Sequence, residues 1–331
     1  MSGRHDAVRA AATLVERRAQ VAARHKLLGR PPPLRREDGI VTSRGFNVPD
    51  EVPKTPWFVS GQGSMQPFSI LNDHFKNEES LKRYIKGVRV AGKFAAETRE
   101  YAGSLAKPGV SLEDIDRKVH EYIVRHGACP APCNFHGFPK TVGVGLNEMM
   151  LHGIPDTREL RDGDIVTLDV SMLIDGFYGD CCTTVPVGNV DEDALKLIRV
   201  TKEAVRRGFD QAQVGQPLGD IARAIEPFCE EHGYSVDSAF CGHGVGAAFH
   251  SMPFVNHSLR GLEGQDDSWT HFKIFPFMCF TIEPVVLEGY PQYDTWPDGW
   301  AAISKDGSWS AQHEEMVLAT PDGPLLLTTT E

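Results

Sequence analysis

The chain of 331 residues is short of three things. It has no apolar run approaching the roughly 18 residues of a membrane span, because Asp and Glu interrupt its strongest hydrophobic stretches. It is short of cations: 34 Lys and Arg face 45 Asp and Glu, a formal net charge of -11. That balance argues against nucleic acid as the main partner, since phosphate binding needs clustered Lys and Arg. It also lacks the apolar core of a secretory leader, and its cysteines number seven, an odd count. Free thiols in a reducing compartment are therefore expected, and a cytoplasmic location with them. Cys129, Cys133 and His136 stand in a C-x3-C-x2-H pattern; a structural zinc normally closes with four ligands, so buried thiols are the default and a metal cluster the alternative.

What is present divides the chain near residue 77. Residues 1–76 read as an extension. "AVRAAATLVERRAQVAARHKLL" has helical spacing and ends before Gly29, and its arm carries Arg4, Arg9, Arg17, Arg18, Arg24, Lys26 and Arg30 against only Asp6 and Glu16. A solvated or docking helix is the preferred reading; an organellar (mitochondrial or other) transit peptide is the alternative, weakened by the few hydroxyl residues. Residues 29–66 are rich in Pro and Gly without periodicity, which predicts an extended linker on a surface or free in solvent. "PPPLRR" is a helix stop and linker ahead of a docking motif.

Residues 77–331 read as one α+β domain. "EESLKRYIKGVRVAGKFAAETREYAGSL" is an amphipathic helix stopped by Pro108 and Gly109, and a second begins at a capping box from Ser111 to Asp114 and ends at Gly127. Strand-like runs at 141–146, 164–174, 177–187, 277–287 and 310–319 are interspersed with helical stretches at 191–210 and 218–232. With no regular strand-helix-strand period, an antiparallel-dominated sheet is predicted.

The segment "GDIVTLDVSMLIDGFYGDCCTT" carries the chemistry. Asp175-Gly176 between two apolar runs is a strong hairpin signal, and a two-residue loop fixes the register. Counting back from Ile174 opposite Phe177 puts Ser171 opposite Asp180, with Asp169 diagonal to Asp180 on the same face. Two carboxylates meeting on an apolar hairpin repel unless a cation sits between them. The bland alternative, a solvated face, is open on the hairpin alone. Further candidates follow. "FCGHGVGAAFH" sets His243 between glycines and brings a second histidine, His250; "FTIEPVV" buries Glu283 in a β-branched strand; "SAQHEEMVLAT" offers Glu314 and Glu315 on opposite faces of a strand, and alternation does not choose between them. Two Asp, a His and two Glu, if convergent, are too many and too oxygen-rich for a tetrahedral zinc. They suit a pair of divalent ions sharing a hydroxide, and hence hydrolysis.

These motifs, with "NEMMLHGIP", occur in the order and approximate spacing of the methionine aminopeptidases, and the chain resembles their type I class over about residues 78–325. The resemblance implies the pita-bread fold, two pseudo-symmetric αβ halves around a dinuclear metal site, and removal of the initiator Met from nascent chains when the second residue is small. It implies Asp169, Asp180, His243, Glu283 and Glu314 as metal ligands, which selects Glu314 over Glu315. It implies His250 at the substrate carbonyl and His152 near the scissile amide. Glu283 is read in addition as a general base, from metal-site chemistry. Phe135, Phe138, Phe249 and Trp300 match the methionine pocket, although each alone would read as ordinary core. The two ions would be Co, Mn, Fe(II) or Zn. Gly143 and Leu151 depart from the pattern, standing where many relatives have Cys, and N-terminal zinc-finger Cys pairs are missing, so ribosome association through such a finger is unsupported. A monomer acting on nascent polypeptide N-termini is expected, with no membrane and no nucleic acid. The alternatives are a Xaa-Pro aminopeptidase or dipeptidase of the same fold, or a non-catalytic pita-bread binding protein.

Overall fold

The computed structural model describes residues 2–42, 45–260 and 269–330, with residues 2–12 by backbone only. Its helices are α1 (Ser2–Leu28), α2 (Asn72–Phe75), α3 (Glu78–Leu105), α4 (Leu112–Arg125), α5 (Glu192–Asp210) and α6 (Gly219–Glu231). Three of them start where a short polar side chain accepts an otherwise unpaired N–H: Asn77 from Ser80, Ser111 from Asp114 and Asp191 from Ala194. None of the described helices is long and apolar enough to cross a membrane.

The helices cover sheets in two αβ halves. In the first, Ile115, Val119 and Ile123 of α4 pack on Val142, Leu168 and Val170. In the second, Leu197, Ile198, Ile221 and Ile225 of α5 and α6 pack on Phe280, Ile282 and Val286. Each such buried side chain contributes about 1.5–3 kcal/mol, so each half has its own core. All paired strands run antiparallel, as the irregular element order predicts. The first half is built on the hairpin Ile165–Ile174 and Phe177–Pro186, flanked by Val142–Leu146 and Cys129–Pro130. The second holds a five-stranded sheet in the order Gly323–Leu326, Glu315–Thr320, Cys279–Ile282, Gly242–Gly244, Ser251–Val255.

Three expectations change. The run 277–287 is not one strand: Cys279–Ile282 belongs to the five-stranded sheet and Val285–Leu287 to a separate three-stranded one, with Glu283 and Pro284 in the gap. Proline has no N–H for the ladder, so the chain changes sheets there. The run 310–319 divides in the same way, into Ser310–Gln312 and Glu315–Thr320, leaving His313 and Glu314 between. Glu314 and Glu315 therefore do not sit on alternate faces of one strand.

The third concerns residues 29–66, which are packed rather than loose. Trp57 is only 6% exposed, donates its indole N–H to the Ala131 carbonyl at 2.9 Å, and stacks on Tyr178 and Phe249. A single large aromatic in a non-periodic stretch buries much apolar area without leaving a pattern to read. Upstream, α1 docks: Arg24 reaches Asp193 at 3.0 Å, and the buried Arg30 lies between Asp191 (2.7 Å) and Glu288 (2.5 Å), its guanidinium over the Trp309 ring. The side chains of Arg4 and Arg9 lie outside the described residues.

Candidate active site

The hairpin supplies the first pair of carboxylates. Asp175 and Gly176 both have positive φ (50° and 83°), as a tight two-residue turn with the right twist requires, and Ile174 pairs with Phe177. From there the ladder places Ser171 opposite Asp180 and Asp169 opposite Cys182, so Asp169 and Asp180 are diagonal neighbours on one face. That face is buried: Asp180 is 4% exposed, and Asp169 Oδ1 is enclosed with no hydrogen-bond partner.

The second half brings the rest. His243 is on the short strand Gly242–Gly244; its Nδ1 lies 3.2 Å from the Gly244 carbonyl, which only accepts, so Nδ1 carries the proton and Nε2 keeps its lone pair. That free Nε2 stands 3.7 Å from Asp180 Oδ2 and 3.6 Å from Glu283 Oε1. The buried Thr281 hydroxyl connects the two, accepting from the His243 N–H at 3.0 Å and donating to Glu283 Oε1 at 2.6 Å. Glu283 is further fixed by its own N–H, which donates to His257 Nε2 at 3.1 Å. Glu314 turns inward because its neighbour is held outward: Arg99 binds the Glu315 carboxylate at 3.1 Å and the Glu314 carbonyl at 3.0 Å, and His313 binds Glu315 at 2.9 Å.

Donor atoms of Asp180, His243 and Glu314 lie within 4.8 Å of one another, and Asp169 and Glu283 line the same cavity. Among the described residues, no Lys or Arg lines it. Burial pushes the Asp169 carboxyl up to about 7, and it pushes Glu283 to about 8 despite the Thr281 hydrogen bond, with the Asp169 charge adding to the rise. Asp180 and Glu314 rise well above the ordinary range through burial and the neighbouring carboxylates. Burial holds His243 and His152 down near 4, and holds His250 well below its usual value with the nearby histidines adding. Oxygen-rich donors, a neutral imidazole and an orphaned buried carboxylate oxygen fit hard or borderline divalent cations.

Every other sequence-predicted residue lines that cavity of about 330 Å³: His152, His250, Phe135, Phe138, Phe249 and Trp300, with Gly143 and Leu151 in its wall. His250 is 4.3 Å from His243 between ring centroids, and Phe138 meets Trp300 edge-on at 5.1 Å. His152 has φ 57°, a conformation uncommon for a residue of this type and held here by surroundings that include Phe240 and Trp300. Cys129 and Cys133 do not gather with His136 into a metal cluster among the described residues; Cys129 faces the Pro130 carbonyl and Cys133 the Thr141 hydroxyl, both buried. Sequence reasoning missed Thr281, His257, Phe240, Phe254 and Met65. Phe240 precedes "CGHG" directly and was within reach of a motif reading; Met65, in a segment with no period, left no signal.

The arrangement defines a class: a buried, anionic, metal-accommodating cleft with an apolar end, built between two αβ halves. A model of metallopeptidase family M24 matches residues 86–321, and the chain belongs to that family. Within it the branch is the methionine aminopeptidases of type I. The chain is 38% identical over 299 residues to methionine aminopeptidase 1B, chloroplastic, of Arabidopsis thaliana, covering 90% of this chain and 76% of that one. It superposes on the crystal structure of methionine aminopeptidase from Rickettsia prowazekii with a TM-score of 0.71 at 36% identity, covering 75% of this chain and 98% of that one. A prolidase from Pyrococcus furiosus shares the pita-bread fold at a TM-score of 0.58 and 21% identity, covering 76% of this chain and 65% of that one; that likeness concerns the fold alone. The protein is thus a divalent-metal aminopeptidase that removes N-terminal methionine.

Proposed function

We propose that Asp169, Asp180, His243, Glu283 and Glu314 hold two divalent ions, drawn from Co, Mn, Fe(II) or Zn, and that the neighbouring histidines and aromatics position a methionyl N-terminus against them. The observation that carries this reading is the convergence of carboxylates from separate parts of the chain on one enclosed cavity that, among the described residues, no Lys or Arg lines. Ions held there supply Lewis acidity that lowers the pKa of water and polarises the scissile carbonyl. Glu283, fixed through Thr281 and His257, takes the proton of the attacking water as general base. His250 donates a hydrogen bond to the carbonyl oxygen as negative charge grows on it, and His152 receives the amide side. Phe135, Phe138, Phe249 and Trp300 form an apolar sleeve for the flexible thioether.

The test compares metal-loaded enzyme on Met-Ala-Ser, Met-Leu-Ser and Ala-Pro-Ser, with metal counted by mass spectrometry. Cleavage of the first alone, with two ions per chain, is expected; cleavage of Ala-Pro-Ser would overturn the assignment in favour of a Xaa-Pro peptidase. We infer also that residues 77–331 are the catalytic unit and residues 1–76 a mature, docked extension. The buried Arg30 pairs support retention of that segment over removal as a leader; the substrate is taken to be nascent N-termini, the enzyme a monomer and its location the cytoplasm.

A further inference from the structure

Segment 57–66 lies outside the residues matched by the family model, yet it brings Met65 to the lining of the cleft. Its course is fixed at both ends. At the near end the Trp57 and Phe58 carbonyls accept from the Asn134 side-chain amide, and Trp57 is stacked on Phe249. At the far end Gln66 bridges in parallel to Ser251: its N–H donates to the His250 carbonyl at 2.9 Å and its carbonyl accepts from Met252 at 2.9 Å. Between them the backbone passes so close to Phe135 that a Cβ at Gly63 would fall 2.0 Å from the ring. The segment thus pins the backbone just after His250, stacks on the Phe249 ring just before it, and rests on an aromatic of the apolar pocket. Met65 lines the cavity and is 40% exposed, whereas Asp180 and Glu314 of the proposed metal site are buried.

An aminopeptidase encloses only the first residue of its substrate; the rest of the chain has to leave through the mouth. We propose that Met65 is a specificity-determining residue that contacts the substrate beyond the scissile bond and favours an apolar side chain at its third position, with the backbone of segment 57–66 holding His250 in place. This rests on the aminopeptidase reading. An unbranched thioether at a partly open rim adapts to side chains of differing shape and discriminates mainly against charge, whose desolvation it does not repay.

The test is steady-state kinetics of the full chain, metal-loaded, on Met-Ala-Phe-Ser, Met-Ala-Leu-Ser, Met-Ala-Asp-Ser and Met-Ala-Lys-Ser. Wild type is expected to favour the Phe and Leu peptides over the Asp peptide by about tenfold in kcat/KM, within the range a hydrophobic subsite supplies. Met65→Ala should lower that ratio to about twofold through KM, with kcat changed much less; Met65→Leu should restore it; and Met65→Glu should raise the Lys peptide relative to the Asp peptide above their ratio in wild type. Val59→Ala, on the same segment, 89% exposed and outside the cavity wall, should leave all rates unchanged. Equal kcat/KM for all four peptides in wild type, or an unaltered ratio in Met65→Ala, would overturn the proposal while leaving methionine removal intact. Absence of methionyl turnover in loaded wild type would overturn the aminopeptidase reading and this one with it.

Discussion

Glu283 and Glu288 are five positions apart along the chain, their side chains largely withdrawn from solvent (15% and 2% exposed), and their carboxyls move in opposite directions. Burial raises both, but at Glu288 hydrogen bonds from Arg30 and His25 and the charges of Arg30 and Arg24 reverse the rise and bring it down to about 2. At Glu283 the nearby charge comes from Asp169, another carboxylate, and the group goes up to about 8. The difference teaches what each region is for. Where a guanidinium reaches it, the carboxylate is a fastener that holds α1 and residue 30 to the second half; in the cleft, where no Lys or Arg lines the cavity among the described residues, the carboxylates suit the cations proposed above.

The sharpest way to break this contrast is to remove a donor from the cleft. Asp180→Ala and His243→Ala should each abolish hydrolysis of Met-Gly-Met with far-UV circular dichroism unchanged, and should lower bound metal by mass spectrometry; turnover near wild type would dissolve the distinction. Chelator should lower the Tm of wild type but not of Asp180→Ala, because binding to the folded state alone stabilises by about 4 kcal/mol at a thousand times Kd. His250→Ala should reduce kcat by about 10² with little change in metal content, separating charge stabilisation from metal retention.

At the fastener the expected effects are in stability. The Glu288 carboxyl is lower in the folded chain than its ordinary value near 4.3, so on acidification the unfolded chain takes up the proton first. Its contribution, about 2–3 kcal/mol, is whole above roughly pH 5 and disappears as pH falls toward 2. Urea unfolding of Glu288→Gln across that window should show a flatter profile from a lower starting stability. Arg24→Ala, at an ion pair with both side chains 45% exposed, should change stability by under about 0.5 kcal/mol.

Much of the cleft is legible in the residues because a hairpin is arithmetic: once Asp175-Gly176 sets the turn, every pairing to Asp169 and Asp180 follows. The sheet crossings at Glu283 and Glu314 escape such counting. β-Branched runs there read as continuous strands, and what divides them is a missing N–H at Pro284 and the grip of Arg99 on Glu315, a partner distant in sequence. Choosing Glu314 over Glu315 from alternation was beyond reach for the same reason. Residues 29–66 hid their packing because Trp57 contacts Tyr178, Phe249 and Ala131, none of them local. Gln66 and Met65 reach the cleft by backbone pairing that any residue type would permit.

The crossings have a mechanical consequence. Because Glu283 and Glu314 occupy the points where the polypeptide passes from one sheet to the next, and Asp169 and Asp180 project from the opposite half, the donor atoms straddle a seam. A load on that seam is borne by whatever joins the two sets of oxygens, so an ion seated there works as a rivet, and the enzyme's resistance to being pulled apart becomes a gauge of how full its cleft is.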